Sequence, residues 1–183
     1  ITHAHVDHLG RIPKLIHEGF QGKIYSTEPT KDLAIPMLED TAKILSVSRD
    51  FHLSKIYTEK NIQNAFSLWQ GFSYHQKIQI SENLEVNFLN AGHILGSAMV
   101  EFFYSSTKLG TSQSKPFDYT QGKRILFTGD LGKKNSLLLP DTEEINNIDY
   151  LIMESVYGDR NHELSKDRKE LLKEIIEDNY KNK

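Results

Sequence analysis

His3, His5, Asp7 and His8 fall within the first eight residues as H-x-H-x-D-H. Imidazole nitrogens and a carboxylate at this density are the ligand types of one zinc site, or of two. The cluster is costly to keep without a cation. Adjacent imidazoles repel one another when protonated, and leave polar atoms unpaired when neutral and buried. The competing explanation is a solvated histidine-rich loop or a purification-tag remnant. A tag would be uninterrupted histidine, and it would not run straight into Leu9-Gly10-Arg11-Ile12-Pro13. A motif of this kind normally closes a core strand, and here it begins at the third residue of a chain that opens on Ile1. The sequence therefore reads as an internal piece of a longer protein.

Three more motifs stand where a strand gives way to a loop. Ala91-Gly92-His93-Ile94-Leu95-Gly96-Ser97 places a histidine beside glycine, which lets the backbone approach a ligand. Thr128-Gly129-Asp130-Leu131-Gly132 follows the apolar run Ile125 to Phe127, and a carboxylate there can bridge two cations. Glu154-Ser155-Val156-Tyr157-Gly158-Asp159-Arg160 follows Tyr150 to Met153. Taken singly, a histidine or aspartate beside glycine is an ordinary turn residue. Together they put His3, His5, Asp7, His8, His93 and Asp130 at junctions that a layered α/β fold can gather on one edge.

The elements that must do this are legible in outline. Leu9 to Glu18 has a helical apolar spacing and is stopped by Gly19. Lys23 to Ser26 reads as a short strand. Thr30 to Ser46 is predicted helical, with Leu33, Met37, Leu38 and Leu45 as its buried stripe. Glu59 to Trp69 is a further helix with Thr58 as N-cap. Strands are expected over Lys77 to Ile80, Leu84 to Leu89, Ala98 to Tyr104 and Lys123 to Phe127. The polar stretch Ser105 to Gly122 reads as an exposed excursion between two paired strands. Tyr150 to Met153 reads as a buried strand, and Ser165 to Tyr180 as a charged helix with Leu171, Leu172, Ile175 and Ile176 on one side. Helices, then strands, then renewed alternation imply a layered α/β architecture. No internal repeat is present.

Composition narrows the chemistry. The chain has 183 residues, which suits one domain, or one domain and the start of another. A net charge of −3 gives no global basic footprint, although a local groove can still be basic. With no cysteine there is neither a disulfide framework nor a thiolate site, so histidine and carboxylate must hold any metal. No apolar run reaches the ~20 residues that span a bilayer, and no signal peptide is visible. A cytoplasmic setting is the expectation, with no membrane partner.

The order His3-x-His5-x-Asp7-His8, Gly92-His93, Gly129-Asp130 resembles the metallo-β-lactamase fold. His93-Ile94-Leu95-Gly96-Ser97 and Glu154-Ser155-x-Tyr157-Gly158-Asp159-Arg160 resemble its β-CASP branch of nucleases. More narrowly they are similar to the RNA-processing subgroup, which includes the cleavage-and-polyadenylation endonuclease and its archaeal and bacterial relatives. The resemblance spans nearly the whole chain. It implies a four-layer αββα sandwich, incomplete at both ends. Residues 1–160 would be a partial metallo-β-lactamase domain, and 161–183 the start of the β-CASP domain or a linking helix. The stretch Ala91 to Gly96 does not resemble the ribonuclease J branch. Glu154-Ser155 argues against the Artemis-like DNA-processing branch and against glyoxalase-II-like thioesterases.

Roles carry over by position. The resemblance implies that His3, His5 and His93 hold one zinc and that Asp7 and His8 belong to a second. Asp130 matches the bridging aspartate, and Glu154 the acidic residue that orients a histidine general acid from the β-CASP domain. Asp7, Asp130 and Glu154 are the implied catalytic residues, and two Zn²⁺ the implied cofactors, with manganese tolerated at the oxygen-rich second site. A hydroxide activated by the two metals would attack an RNA phosphodiester, preferably single-stranded, leaving 5′-phosphate and 3′-hydroxyl ends. The acid histidine and the last second-site histidine would lie beyond Lys183. The chain alone is therefore expected to hold the first metal better than the second, to dissolve poorly and to turn over little. A homodimer through regions not covered here is compatible with the resemblance.

Several residues stand outside this scheme. Ser155 and Tyr157 are expected only to shape their loop, and Val156 stands where relatives usually carry threonine. His17, His52 and His75 match no motif and are expected to be structural or solvent-facing. His162 is a candidate substrate contact, otherwise surface. Two other functions compete. One is a hydrolase of a small ester, thioester or lactone on the same fold, which would share the six ligands but has no use for the Glu154 to Arg160 motif. The other is an inactive scaffold, against which every covered ligand position is filled.

Overall fold

A computed structural model describes residues 1–46, 51–105, 122–160 and 168–182. Among the described residues six helices and seven strands follow in the order α1 (Val6–Leu9), α2 (Ile12–His17), β1 (Ile24–Thr27), α3 (Glu28–Ser46), α4 (Phe51–Ile56), α5 (Glu59–Leu68), β2 (Trp69–Phe72), β3 (Ile78–Ser81), β4 (Leu84–Asn90), β5 (Ala98–Ser105), β6 (Gly122–Phe127), β7 (Tyr150–Ile152) and α6 (Arg168–Lys181). Strands β1 and β2 pair in parallel as a small sheet, and β3-β4-β5-β6-β7 form a second sheet in sequence order. The second sheet is antiparallel except for its last pair, β6–β7, which is parallel.

Three apolar clusters hold the layers. The first joins the helices to the small sheet through Leu9, Ile12, Ile16, Ile24, Ala34, Leu38, Ile62 and Trp69. The second lies between the two sheets: Val86, Phe88, Ala98 and Val100 meet Tyr25 and Phe72. The third, Leu89, Met99 and Leu126, is on the far face of the large sheet, where Leu131, Ile145 and Ile148 from the β6–β7 connection cover it. The period-two alternation of β4 and β5 thus serves two cores, because both faces of those strands are buried. The result is an α/β sandwich of the expected class, with helices over one sheet and that sheet over the other.

The structure revises several expectations. The helix expected from Leu9 to Glu18 is two helices, because Pro13 enters at the first turn of α2 and lacks the N–H needed to continue from α1. In α3 the buried row is Thr30, Ala34 and Leu38, an i, i+4 ridge, while Met37 faces outward. Trp69 is not helical. It opens β2, and its indole N–H donates to Ser26 Oγ across the β1–β2 pair at 2.8 Å. Helix α4 and strand β2 were both missed in the sequence. Tyr150 to Met153 is not buried: β7 is the outer strand of its sheet and all four side chains are exposed. Thr58 caps α5 as expected, accepting from Asn61 N at 3.2 Å. The excursion between β5 and β6 falls on 106–121, outside the described residues, as do 161–167. Among the described residues no helix is long and apolar enough to cross a membrane.

The strand register places the chemistry. Asn90 pairs with Ala98, Val100 with Phe127, and Phe127 with Ile152. The loops carrying His93, Asp130 and Glu154 therefore all leave the same end of the large sheet.

Candidate metal centre

The first ligand segment is tied to that end directly: Ala98 N donates to Thr2 O at 2.8 Å. His3 follows and is fully buried, while His5 and His93 are half-buried beside it. His3 Nε2 and His93 Nε2 each stand close to His5 Nδ1, at 3.1 and 3.2 Å. Asp130 Oδ2 lies 3.7 Å from His3 Nε2 and 3.6 Å from His93 Nε2. One donor atom from each of His3, His5, His93 and Asp130 falls within 4.8 Å of the other three. Ligands around a tetrahedral zinc, at their usual ~2.0–2.1 Å, stand roughly 3.3 Å apart. These four donors fit such an ion. His5 Nδ1 faces two ring nitrogens at once, which a single N–H cannot satisfy and a cation can.

Protonation agrees with this. Burial, with His8 close by, pushes the His3 imidazolium down from 6.5 to about 4, against the pull of Asp130. The ring is then neutral near pH 7, which is the coordinating form. Its Nδ1 lies 3.2 Å from Thr2 Oγ1, so an Nδ1–H donated there leaves Nε2 free for a metal.

The second group is looser. Asp130 Oδ1 lies 3.2 Å from His8 Nε2, and His8 lies 3.5 Å from Asp7 Oδ2. The two oxygens of Asp130 thus face different histidines: Oδ2 meets His3 and His93, and Oδ1 meets His8. Asp7 and His8 sit in α1, a single turn of helix with no side-chain cap. The Asp7 side chain is 73% exposed.

Glu154 stands behind this arrangement. Its Oε1 accepts from Leu131 N, and its own N–H donates to Thr128 Oγ1 at 3.1 Å. Both contacts brace the turn that carries Asp130. Gly129 in that turn has φ +55 and packs against Thr2, where a Cβ would come within 2.7 Å of Thr2 Cβ. No histidine contacts Glu154 among the described residues. Val156 and Tyr157 are surface residues, and Arg160 lies over the Tyr157 ring at 5.4 Å. His17 and His75 are exposed, and His75 Nε2 lies 3.3 Å from Glu143. The side chain of His52 and all of His162 fall outside the described residues.

The sequence reading missed the residues that hold the His93 loop. Ser97 Oγ accepts from His93 N at 2.9 Å and from Ile94 N at 3.2 Å. Asn90 Oδ1 accepts from Gly92 N at 2.8 Å, and Glu143 accepts from Asn90 N at 2.6 Å. Tyr74 OH donates to Ser97 O at 2.9 Å, and Thr142 Oγ1 to Ala91 O at 2.8 Å. Asn90 and Ser97 flank the His93 motif and were open to a local reading. Tyr74, Thr142 and Glu143 come from distant segments, and no spacing pointed to them.

Known proteins are similar to this chain at several levels. Residues 1–109 match the family model of the metallo-beta-lactamase superfamily domain. An RNase J-like protein of Methanocaldococcus jannaschii is 36% identical, over 97% of this chain and 35% of its own length. A ribonuclease of Thermus thermophilus is 29% identical over 97% of the chain and 35% of its own length. An endoribonuclease, ysh1, of Schizosaccharomyces pombe is 29% identical over 100% of the chain and 22% of its own length. The chain thus spans about a third or less of these relatives. The name of the first relative gives no support to the expected separation from the ribonuclease J branch. By its family model, its fold and its gathered candidate ligands, the chain belongs to the metallo-beta-lactamase superfamily, and the relatives named above are ribonucleases or ribonuclease-like proteins.

Proposed function

We propose that the protein containing this chain is a metal-dependent ribonuclease. The observation that carries the metal part of the reading is the division of the Asp130 carboxylate, one oxygen toward His3 and His93 and the other toward His8. The ribonuclease part is supported by the names of the relatives, since an ester hydrolase on this fold would use the same ligands. His3, His5 and His93 would hold a first zinc, and Asp7 and His8 would contribute to a second, with Asp130 between them. Bound there, the pair of metals supplies an activated water and Lewis acidity toward phosphoryl oxygens.

The chain's own residues do the rest. Buried His3 stays neutral and ready to coordinate. Glu154 fixes the Asp130 turn through Leu131 N with one oxygen. Its other oxygen has no partner among the described residues and is the one available to orient a histidine acid. The substrate we infer is single-stranded RNA, in a cytoplasmic setting. An open cleft beside His8 supports a phosphate-bearing substrate over a small ester. It is lined by His8, Arg11, Ile12, Lys14, Leu15 and Glu18. Lys14 is paired with Glu18 at 3.6 Å, whereas Arg11 has no ion-pair partner among the described residues.

The test uses the complete protein, zinc-loaded, on matched labelled single-stranded RNA and DNA, with Asp130→Ala alongside. RNA cleavage that the variant loses supports the reading. Two bound zincs with cleavage of neither nucleic acid would sink it and return the ester hydrolase to first place.

A further inference from the structure

We propose that Thr27 and Thr30 are positioning residues for His93, acting through the carbonyl of Gly96. The proposal rests on the metal reading of the site. Thr27 Oγ1 donates to Gly96 O at 2.6 Å and Thr30 Oγ1 donates to the same oxygen at 2.9 Å. A carbonyl oxygen has two lone pairs and takes both. Thr27, Thr30 and Ser97 are all sealed from solvent.

The contact joins segments 66 and 69 residues apart, the start of α3 and the end of the His93 loop. At the helix side, Thr27 Oγ1 also accepts from Thr30 N at 3.3 Å, in the manner of an N-cap. That bond alone would cap α3. The Thr30 hydroxyl is surplus to capping, and a buried hydroxyl costs stability unless it is bonded. Its one donated bond goes to Gly96 O.

At the loop side the fit is close. Gly96 has φ +80, and a Cβ there would lie 2.6 Å from Thr30 N and 2.9 Å from Thr30 Oγ1. The loop can press against α3 only because residue 96 is glycine. Ser97 follows, and its Oγ receives the backbone N–H of His93 and of Ile94. The chain of contacts is therefore short: two threonine hydroxyls fix the 96 carbonyl, the next residue fixes the His93 amide, and the His93 ring is delivered to His5 and Asp130. Groups bonded directly to a metal-binding histidine set its orientation, and their loss typically costs about 10–100-fold in metal affinity. Thr27 and Thr30 act further back, so the low end of that range is expected.

Valine matches threonine in shape and lacks only the hydroxyl, so Thr30→Val removes the bond to Gly96 O together with the 3.0 Å contact to Thr27 Oγ1. The measurement is titration of the metal-free complete protein with cobalt(II), reading both affinity and the visible d–d band that reports coordination geometry. Thr30→Val is expected to weaken the first equivalent by about 10-fold and to alter the band. Thr30→Ser, which keeps the hydroxyl, should restore both. Leu38→Ala, on the same helix and fully buried, supplies a loss of thermal stability while keeping both threonine hydroxyls, and should leave cobalt affinity intact. The proposal is overturned if Thr30→Val binds within about twofold of the parent with an unchanged band, or if Leu38→Ala weakens binding as much. Should Thr30→Val fail to fold, Thr27→Val against Thr27→Ser asks the same question at the other hydroxyl. A parent protein that binds no cobalt at all would instead refute the metal reading underneath.

Discussion

His3 is fully buried, and Asp7, on the next turn of chain, keeps most of its side chain in water. Both belong to one ligand motif, yet they are supported in opposite ways. The His3, His5 and His93 group is braced on several sides: Thr2 faces the His3 ring, Ala98 holds the Thr2 carbonyl, and Ser97 holds the His93 amide. The Asp7 and His8 group rests on one uncapped turn of helix. Preorganised ligands lose little freedom on binding, whereas exposed ones must be ordered by the ion. On the proposed reading the first group takes a metal as it stands, and the second gains its order from the metal or from further ligands.

Asp130 belongs to both halves, so its removal should erase the contrast. Asp130→Ala is expected to weaken both metal equivalents by more than about 100-fold, beyond the cost of losing an outer partner, and to abolish cleavage. Metal content by mass spectrometry and RNA cleavage would check this. One equivalent held at parental affinity would mean that Asp130 does not bridge.

Next in size is the split between the halves. His93→Ala should remove the tighter equivalent, and Asp7→Ala only the weaker one. Calorimetric titration of each variant would show it. Equal losses at both equivalents in the two variants would break the comparison.

A smaller effect is expected at the brace itself. Gly96→Ala forces a Cβ against Thr30 and a side chain into a left-handed conformation. It should destabilise the fold by about 1–3 kcal/mol, read by denaturant unfolding, and weaken the tighter equivalent first. The smallest effect concerns the open side of the site. Arg11→Gln should leave both metals in place and reduce the salt dependence of RNA binding by a slope of about 1, the signature of one lost phosphate contact.

These halves also differ in how far the sequence disclosed them. The candidate ligands were readable as a cluster because metal chemistry restricts residue types sharply, and H-x-H-x-D-H packs most of them into six consecutive residues. The glycines around His93 and Asp130 gave away their loops for the same local reason. The braces were not readable. The Thr30 to Gly96 bond and the Tyr74 to Ser97 bond are tertiary, and nothing in either segment names the other. The fold failed where context overrode pattern. Tyr150 to Met153 has the composition of an interior strand but lies at a sheet edge. Trp69 continues a helical spacing, yet its indole is drawn to Ser26 across a strand pair. Met37 and Ala34 exchange places because the buried ridge of α3 follows Thr30 rather than Leu33.

The pairing of Ser105 with Gly122 closes the large sheet at the end away from the ligands. The chain that joins those two residues leaves and re-enters the sheet at paired positions. Lengthening such a connection costs only about 0.6 kcal/mol per doubling. This makes the β5–β6 junction a port for cargo. A fluorescent reporter or an affinity handle spliced there would join the sheet at the end opposite the candidate metal centre.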